Sequence, residues 1–136
     1  MASIQREIET VASPASVWDA LRDVGALHTR LVPGFVIDTR LEGGERVVTF
    51  GNGVTVREPI LDICEARRRV AWAAIGAALT HYSASAQVFA GTEGGSRVVW
   101  IADLLPNEAA PWVAEMMDQG MAVMKATLDE QAGATD

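Results

Sequence analysis

Along this chain of 136 residues, the spacing of apolar residues switches more than once between the two-residue period of strands and the longer period of helices. Residues 3–11 alternate between apolar and polar, which predicts a first strand with one solvated face. Ser13 and Pro14 then suit the N-cap and the first position of a helix. The serine oxygen can accept a hydrogen bond from an otherwise unpaired amide of the first turn, and proline has no amide N–H that needs a partner. We expect this helix over 14–24, followed by a short helical turn at 26–31.

From Phe35 onward the period is again close to two, and glycine-bearing turns separate the apolar runs at regular intervals. This pattern indicates a meander of hairpins. We place its six strands at 35–41, 45–50, 54–64, 68–75, 81–90 and 95–104.

The last predicted element is a helix over 112–130, after which residues 131–136 should fray. One side of this helix is acidic, and the other carries a narrow apolar stripe rich in methionine. Methionine is unbranched and polarizable, so the stripe suits either core packing or the floor of a cavity that accepts ligands of varied shape. The stripe consists of Val113, Met117, Met121, Met124 and Leu128.

This order of elements predicts an α+β fold, in which a seven-stranded sheet presents one apolar face to the long C-terminal helix. Strand twist accumulates across a sheet of this width, so the sheet should curl around the helix. The length supports a single domain over 1–130 with one core.

Composition narrows the possible partners. The net charge of −7 and the isoelectric point near 4.7 argue against binding to nucleic acid or to an anionic membrane. The basic run 67–69 is short and suits a solvated turn. Cys64 is the single cysteine, which excludes an internal disulfide, and the absence of a leader or a long apolar run predicts a soluble cytoplasmic protein without membrane insertion. The spacing of histidines, cysteine and carboxylates predicts no metal site, and we expect no cofactor.

Four segments carry a resemblance to a known superfamily: residues 12–23 (ASPASVWDALRD), Pro33-Gly34, 67–72 (RRRVAW) and 95–100 (GSRVVW). Together they resemble the START-like superfamily, also called SRPBCC, in its polyketide cyclase/dehydrase and lipid-transport branch. The resemblance implies a helix-grip fold, in which seven antiparallel strands grip the C-terminal helix around an apolar pocket. Members bind lipids, hormones, polyketides or other hydrophobic molecules, and a minority catalyse cyclisation or dehydration. No catalytic residue can be carried over to this chain.

Strand alternation indicates which residues would line such a pocket. Arg97 marks the solvated face of the last strand, so Trp100 should point inward. The alanines of strand 81–90 would face the methionine helix, where they either leave room for a cavity or let the helix pack closer. The predicted lining residues are Phe35, Val56, Glu58, Trp72, Tyr82, Ala84, Trp100, Met117, Met121 and Met124.

Glu58 and His28 are the candidate acid–base groups. If Arg57 faces solvent, Glu58 points inward among apolar residues, where desolvation would raise its pKa. Alternatively, Pro59 bends the strand and Glu58 is solvated. His28 lies in the short helical turn beside the presumed entrance, and imidazole is a common proton-transfer group, although a surface histidine next to Arg30 is the simpler interpretation.

Three functions are consistent with these observations. The first is binding or carriage of a small hydrophobic molecule between sheet and helix. The second is a cyclase or dehydratase that uses Glu58 or His28. The third is a non-catalytic, homodimeric interaction module that associates through an exposed strand edge or the Trp112 end of the helix. We expect the protein to be a monomer or a homodimer.

Overall fold

The computed structural model describes residues 1–76 and 78–134, and its elements follow the predicted order. The strands are β1 (Ala2–Thr10), β2 (Val36–Glu42), β3 (Glu45–Phe50), β4 (Thr55–Cys64), β5 (Arg69–Ala73), β6 (His81–Ala90) and β7 (Ser96–Leu105). The helices are α1 (Pro14–Arg22), one π-helical turn at Leu27–Leu31, and α2 (Ala110–Ala134).

All seven strands form one antiparallel sheet in the order β1-β7-β6-β5-β4-β3-β2. From β2 to β7 each strand pairs with the next one in sequence, and β1 pairs with β7. This arrangement confirms the predicted α+β sheet with a long C-terminal helix and two short helical segments after β1.

The local signals at the start of α1 act as expected. The Ser13 hydroxyl accepts a hydrogen bond from the Ser16 amide at 3.2 Å, and Pro14 is the first helical residue. The helix buries Val17, Trp18 and Leu21 against the core. α1 therefore packs on the sheet by an apolar stripe at helical spacing.

α2 is longer than predicted. It begins at Ala110 and continues to Ala134, so residues 131–134 of the expected tail are helical, while 135–136 lie outside the described residues. Its 25 residues span about 37 Å at 1.5 Å per residue, enough to cross the whole sheet. No helix in the described part of the chain is long and apolar enough to cross a lipid bilayer.

Polar contacts attach α2 to one edge of the sheet. Arg6 Nε on β1 donates to Asp118 Oδ1 at 2.6 Å, and the Thr10 hydroxyl donates to Asp129 Oδ1 at 2.5 Å. On this side the core is solid, and its fully buried side chains include Val98, Ala102, Leu104, Met117 and Leu128. Because α2 is held along β1, it leaves a space over the other half of the sheet.

Candidate functional site

That space is a cavity of about 580 Å³ between α2 and the face of β3, β4 and β5. The π-helical turn covers it through Leu27 and Leu31. Most of its lining is apolar, and the buried polar residues are concentrated on the sheet. The lining side chains from the sheet include Arg46, Val48, Phe50, Val56, Glu58, Val70, Trp72, Tyr82, Ala86 and Trp100.

The mouth of the cavity is formed by two loops and the first turns of α2. Its exposed lining residues are Gly34, Gly51, Asn52, Val54, Trp112, Glu115 and Gln119. The two loops approach each other through their backbones. A Cβ added at Gly51 would lie 2.5 Å from the Gly34 carbonyl oxygen, so only glycine permits this contact.

Phe35 follows directly after the mouth and points into the cavity. Its ring packs edge-on against Phe50, with ring centroids 5.5 Å apart. On the helix side it lies over Gly120, where an added Cβ would be 3.0 Å from Phe35 Cε2 and 3.1 Å from Trp100 Cζ3. The absence of a side chain at Gly120 therefore makes room for two aromatic rings of the cavity lining.

A buried ion pair lies on the floor of the cavity. Arg46 and Glu58 are directly opposite each other on β3 and β4, and Arg46 Nε donates to Glu58 Oε1 at 2.7 Å. The two side chains are 4% and 9% exposed. The Arg46 guanidinium also stacks on Trp72, with Cζ 5.0 Å from the ring centroid, a cation–π contact.

Burial controls the charge of the groups around this pair. Desolvation raises the pKa of Glu58 above its ordinary value, and the charge and hydrogen bond of Arg46 oppose that rise. Burial also raises the pKa of the Tyr82 phenol, and the negative charge of Glu58 raises it further. Tyr82 therefore stays protonated and is available as a hydrogen-bond donor.

Trp100 contributes an indole N–H to the same region. Its ring lies beside Trp72, with centroids 6.3 Å apart. Trp100 Nε1 lies near the Tyr82 oxygen, and its proximity partly opposes the rise in the Tyr82 pKa. In the described part of the chain, however, no acceptor is aligned with this buried N–H for a hydrogen bond. The cavity thus contains a buried donor without a partner.

The structure places seven of the ten predicted lining residues at the cavity: Phe35, Val56, Glu58, Trp72, Tyr82, Trp100 and Met124. Glu58 takes the inward orientation inferred from Arg57, which is exposed, and the alternative of a solvated Glu58 is wrong. Trp72 also points inward, as predicted.

Ala84, Met117 and Met121 do not line the cavity. All three belong to the solid core on the side where α2 packs against the sheet. Ala84 lies opposite Ala102 in register, and these small residues let the helix approach rather than leaving a gap. The methionine stripe is therefore mostly core.

The face of α2 that borders the cavity overlaps the methionine stripe at Val113 and Met124 and adds Met116. Met116 is half-buried, whereas Met117 is fully buried. The helical period alone did not show which residues of the stripe reach the cavity, because the position of the cavity depends on where the helix packs on the sheet.

His28 does not line the cavity either. It lies on the π-helical turn between Leu27 and Leu31, which point inward, and its own side chain is half-buried on another side. Its Nδ1 is buried and has no hydrogen-bond partner among residues 1–76 and 78–134. In the same residues no three side chains of His, Cys, Asp or Glu form a group that could hold a metal ion.

The sequence reasoning missed Arg46. A signal was present, because the turn Gly51-Asn52-Gly53 centres the β3–β4 hairpin on residue 52 and so places residue 46 opposite residue 58. Arg46 also alternates in step with Val48 and Phe50, so all three side chains point to the same face of β3, and both of those residues line the cavity. An arginine is normally taken to mark a solvated face, so its burial depends on the carboxylate across the hairpin.

Comparisons with known proteins agree with this architecture. The family model described as polyketide cyclase / dehydrase and lipid transport matches residues 1–129. No protein of curated function matches the sequence. Among solved structures, the protein XoxI from Bacillus cereus is similar with a TM-score of 0.85 and 24% identity, over 96% of this chain and 99% of that chain.

Two further structures carry descriptive names. A START superfamily protein from Mycobacterium smegmatis has a TM-score of 0.75 and 9% identity, over 98% of this chain and 99% of that one. The di-domain ARO/CYC BexL from the BE-7585A biosynthetic pathway has a TM-score of 0.78 and 14% identity, over 95% of this chain and 47% of BexL. At these identities the structures show a shared fold, and the family match covers nearly the whole chain. The chain therefore belongs to the polyketide cyclase/dehydrase and lipid-transport family.

Proposed function

We propose that this protein binds a small, largely apolar molecule in the cavity between its sheet and α2. The observation that carries the proposal is the cavity itself, about 580 Å³ in volume and lined mainly by apolar side chains around a few buried polar groups. Pockets for small organic ligands typically have this size and composition. Membership of a family whose description includes both lipid transport and polyketide cyclisation supports a ligand-binding or cyclase role.

Two matched substitutions at the end of β5, at Ala73 and Ala74, test the proposal. Ala74 lines the cavity, and Ala73 lies on the other face of the sheet, yet both are half-buried alanines. We expect wild type to bind the uncharged fluorophore N-phenyl-1-naphthylamine saturably. Ala74→Leu should weaken that binding about tenfold by occupying cavity space, and Ala73→Leu should change it less than twofold.

The readout is a fluorescence titration, with circular dichroism to confirm that both variants are folded. Absence of saturable binding by wild type would refute the proposal. Equal affinities of the two variants would also refute it, because the probe would then be bound elsewhere.

The position of Glu58 favours a second candidate function, an acid–base step on a bound substrate. A buried carboxyl group with a raised pKa at the cavity floor gives up its proton less readily than an exposed one, which suits it to proton transfer with a bound substrate. Dehydration of a β-hydroxy ketone is the simplest such reaction: a base removes the proton α to the carbonyl, hydroxide leaves with a proton, and a conjugated enone and water form.

A β-hydroxy ketone bearing a naphthyl group provides the assay, since the enone product absorbs at longer wavelength. We expect Glu58→Gln to lower turnover at least tenfold and the exposed Glu42→Gln to leave it unchanged. Equal turnover by wild type and Glu58→Gln would eliminate the catalytic role and leave ligand binding untouched.

A further inference from the structure

Beside the Glu58 carboxylate, the buried polar groups of the cavity are the hydrogen-bond donors Arg46, Tyr82 and Trp100. The other polar lining residues, Asn52, Glu115 and Gln119, are exposed. Arg46 makes one hydrogen bond, from Nε to Glu58, and its terminal Nη groups engage no acceptor within residues 1–76 and 78–134. Trp100 Nε1 is buried and unpartnered in the same residues, and the neighbouring Tyr82 hydroxyl is protonated. A buried donor left without an acceptor costs free energy, so the bound molecule is expected to supply acceptor atoms.

The charge of the site further restricts the ligand. Glu58 already neutralises Arg46 at 2.7 Å, so the pair presents no net charge. An anionic group placed next to Arg46 would also face the Glu58 carboxylate, and repulsion between like charges is strong in an apolar interior. A cationic group next to Glu58 would likewise be repelled by the Arg46 guanidinium. The pair is therefore compatible with an uncharged acceptor.

We propose that the ligand is an uncharged apolar molecule with a buried carbonyl group of the ketone, ester or amide class, whose oxygen accepts the hydrogen bond of Trp100 Nε1. The free N–H groups of Arg46 provide further donors at the same end of the cavity. This inference rests on the proposed binding function and makes Trp100 a specificity-determining residue. It adds the position and chemical type of the ligand's polar end to that function.

Three naphthalene probes of nearly equal size separate the possibilities. 2-Acetylnaphthalene carries a carbonyl oxygen, 2-isopropenylnaphthalene has a methylene group in its place, and 2-naphthoate carries an anion. Their affinities are measured by displacement of N-phenyl-1-naphthylamine from the full chain at neutral pH. We expect the ketone to bind about tenfold more tightly than both other probes, although the hydrocarbon is the most hydrophobic of the three.

Tryptophan substitutions locate the donor. Trp100→Phe keeps an aromatic ring but removes the N–H, and should reduce the preference for the ketone over the hydrocarbon to less than threefold. Trp18→Phe is the matched control, because Trp18 is also buried but its Nε1 donates to Glu65 Oε2 at 2.6 Å, away from the cavity. This control should keep the full preference.

A spectroscopic measurement on wild type avoids dependence on the folding of the variants. The carbonyl stretching band of bound 2-acetylnaphthalene should lie at lower frequency than in hexane, because the oxygen accepts a hydrogen bond. An unshifted band, tightest binding of naphthoate, or equal binding of ketone and hydrocarbon would each overturn the inference while leaving cavity binding intact. Failure of every probe, including N-phenyl-1-naphthylamine, would instead overturn the proposed function.

Discussion

Arg46 Nε lies 2.7 Å from Glu58 Oε1, straight across the β3–β4 hairpin, and this ion pair is buried at the floor of an apolar cavity. Each side chain is buried only because the other is there. Removing two charges from water costs several kcal/mol per ion, and their attraction offsets this cost when the geometry is good. The pair thus concentrates the polarity of the cavity at one place on the sheet.

Removing the cation should destabilise the fold strongly. We expect Arg46→Met to lower the free energy of unfolding at neutral pH by about 3–5 kcal/mol, because it leaves a buried carboxylate without a partner. The control Arg57→Met removes an arginine that pairs with Glu42 on the exposed face, and should cost at most about 1 kcal/mol. Urea denaturation measures both values.

A double substitution checks the reason for that loss. Arg46→Met combined with Glu58→Leu removes both charges and should recover most of the stability, since apolar replacements of buried ion pairs are often neutral or better. If the double variant is as unstable as Arg46→Met alone, the unpaired charge is not the cause.

The raised pKa of Glu58 predicts a pH dependence. The folded protein holds the Glu58 proton to a higher pH than the unfolded chain does, so the stability linked to this group is fully present below the unfolded pKa. It is lost as pH rises through the folded pKa. The difference in unfolding free energy, wild type minus Glu58→Gln, should therefore be largest in acid and decline toward neutral pH. A difference that grows with pH would show that the pKa of Glu58 is lowered instead.

Gly120 should resist substitution even though it lies inside a helix. Alanine normally stabilises such a site by roughly 1 kcal/mol, but here its Cβ would be 3.0 Å from Phe35 Cε2, and overpacking costs roughly 1–3 kcal/mol. We expect Gly120→Ala to lower stability by about 1–2 kcal/mol. Gly133→Ala on the same helix meets nothing within 4 Å and should be neutral or slightly stabilising. Thermal unfolding distinguishes the two, and equal effects would contradict the proposed crowding.

Adjacent methionines of α2 should have different roles. Met117 is fully buried in the solid core, so Met117→Ala should cost about 2–5 kcal/mol of stability. Met116 is half-buried at the cavity, so Met116→Ala should cost less than about 1.5 kcal/mol and change the affinity for N-phenyl-1-naphthylamine instead. Denaturation and probe titration of both variants test the division. Similar stability losses would show that Met116 and Met117 do not differ in role.

Strand alternation predicted much of the candidate site, because successive side chains of a strand point to opposite faces of the sheet, and this depends only on the local backbone. Trp72, Tyr82 and Trp100 point inward as expected, and for Glu58 the structure selects the inward position from the two alternatives that the sequence left open. The errors are at Ala84, Met117 and Met121. For these residues the inward face was correct, but the side of the helix that touches the core was not predictable from periodicity.

The sequence by itself determined the elements of this protein and which face of each strand is buried, since apolar period, caps and glycine turns act over a few residues. Only the tertiary structure decided where the interior is solid and where it is hollow. That division follows from contacts distant in sequence. Met117 and Leu128 of α2 are buried in the core, Arg6 and Thr10 of β1 bind the same helix, and α2 therefore lies along β1 and leaves the floor of β3–β5 uncovered. The burial of Arg46 depends in the same way on Glu58, because a charge enters an apolar cavity only with its partner in place.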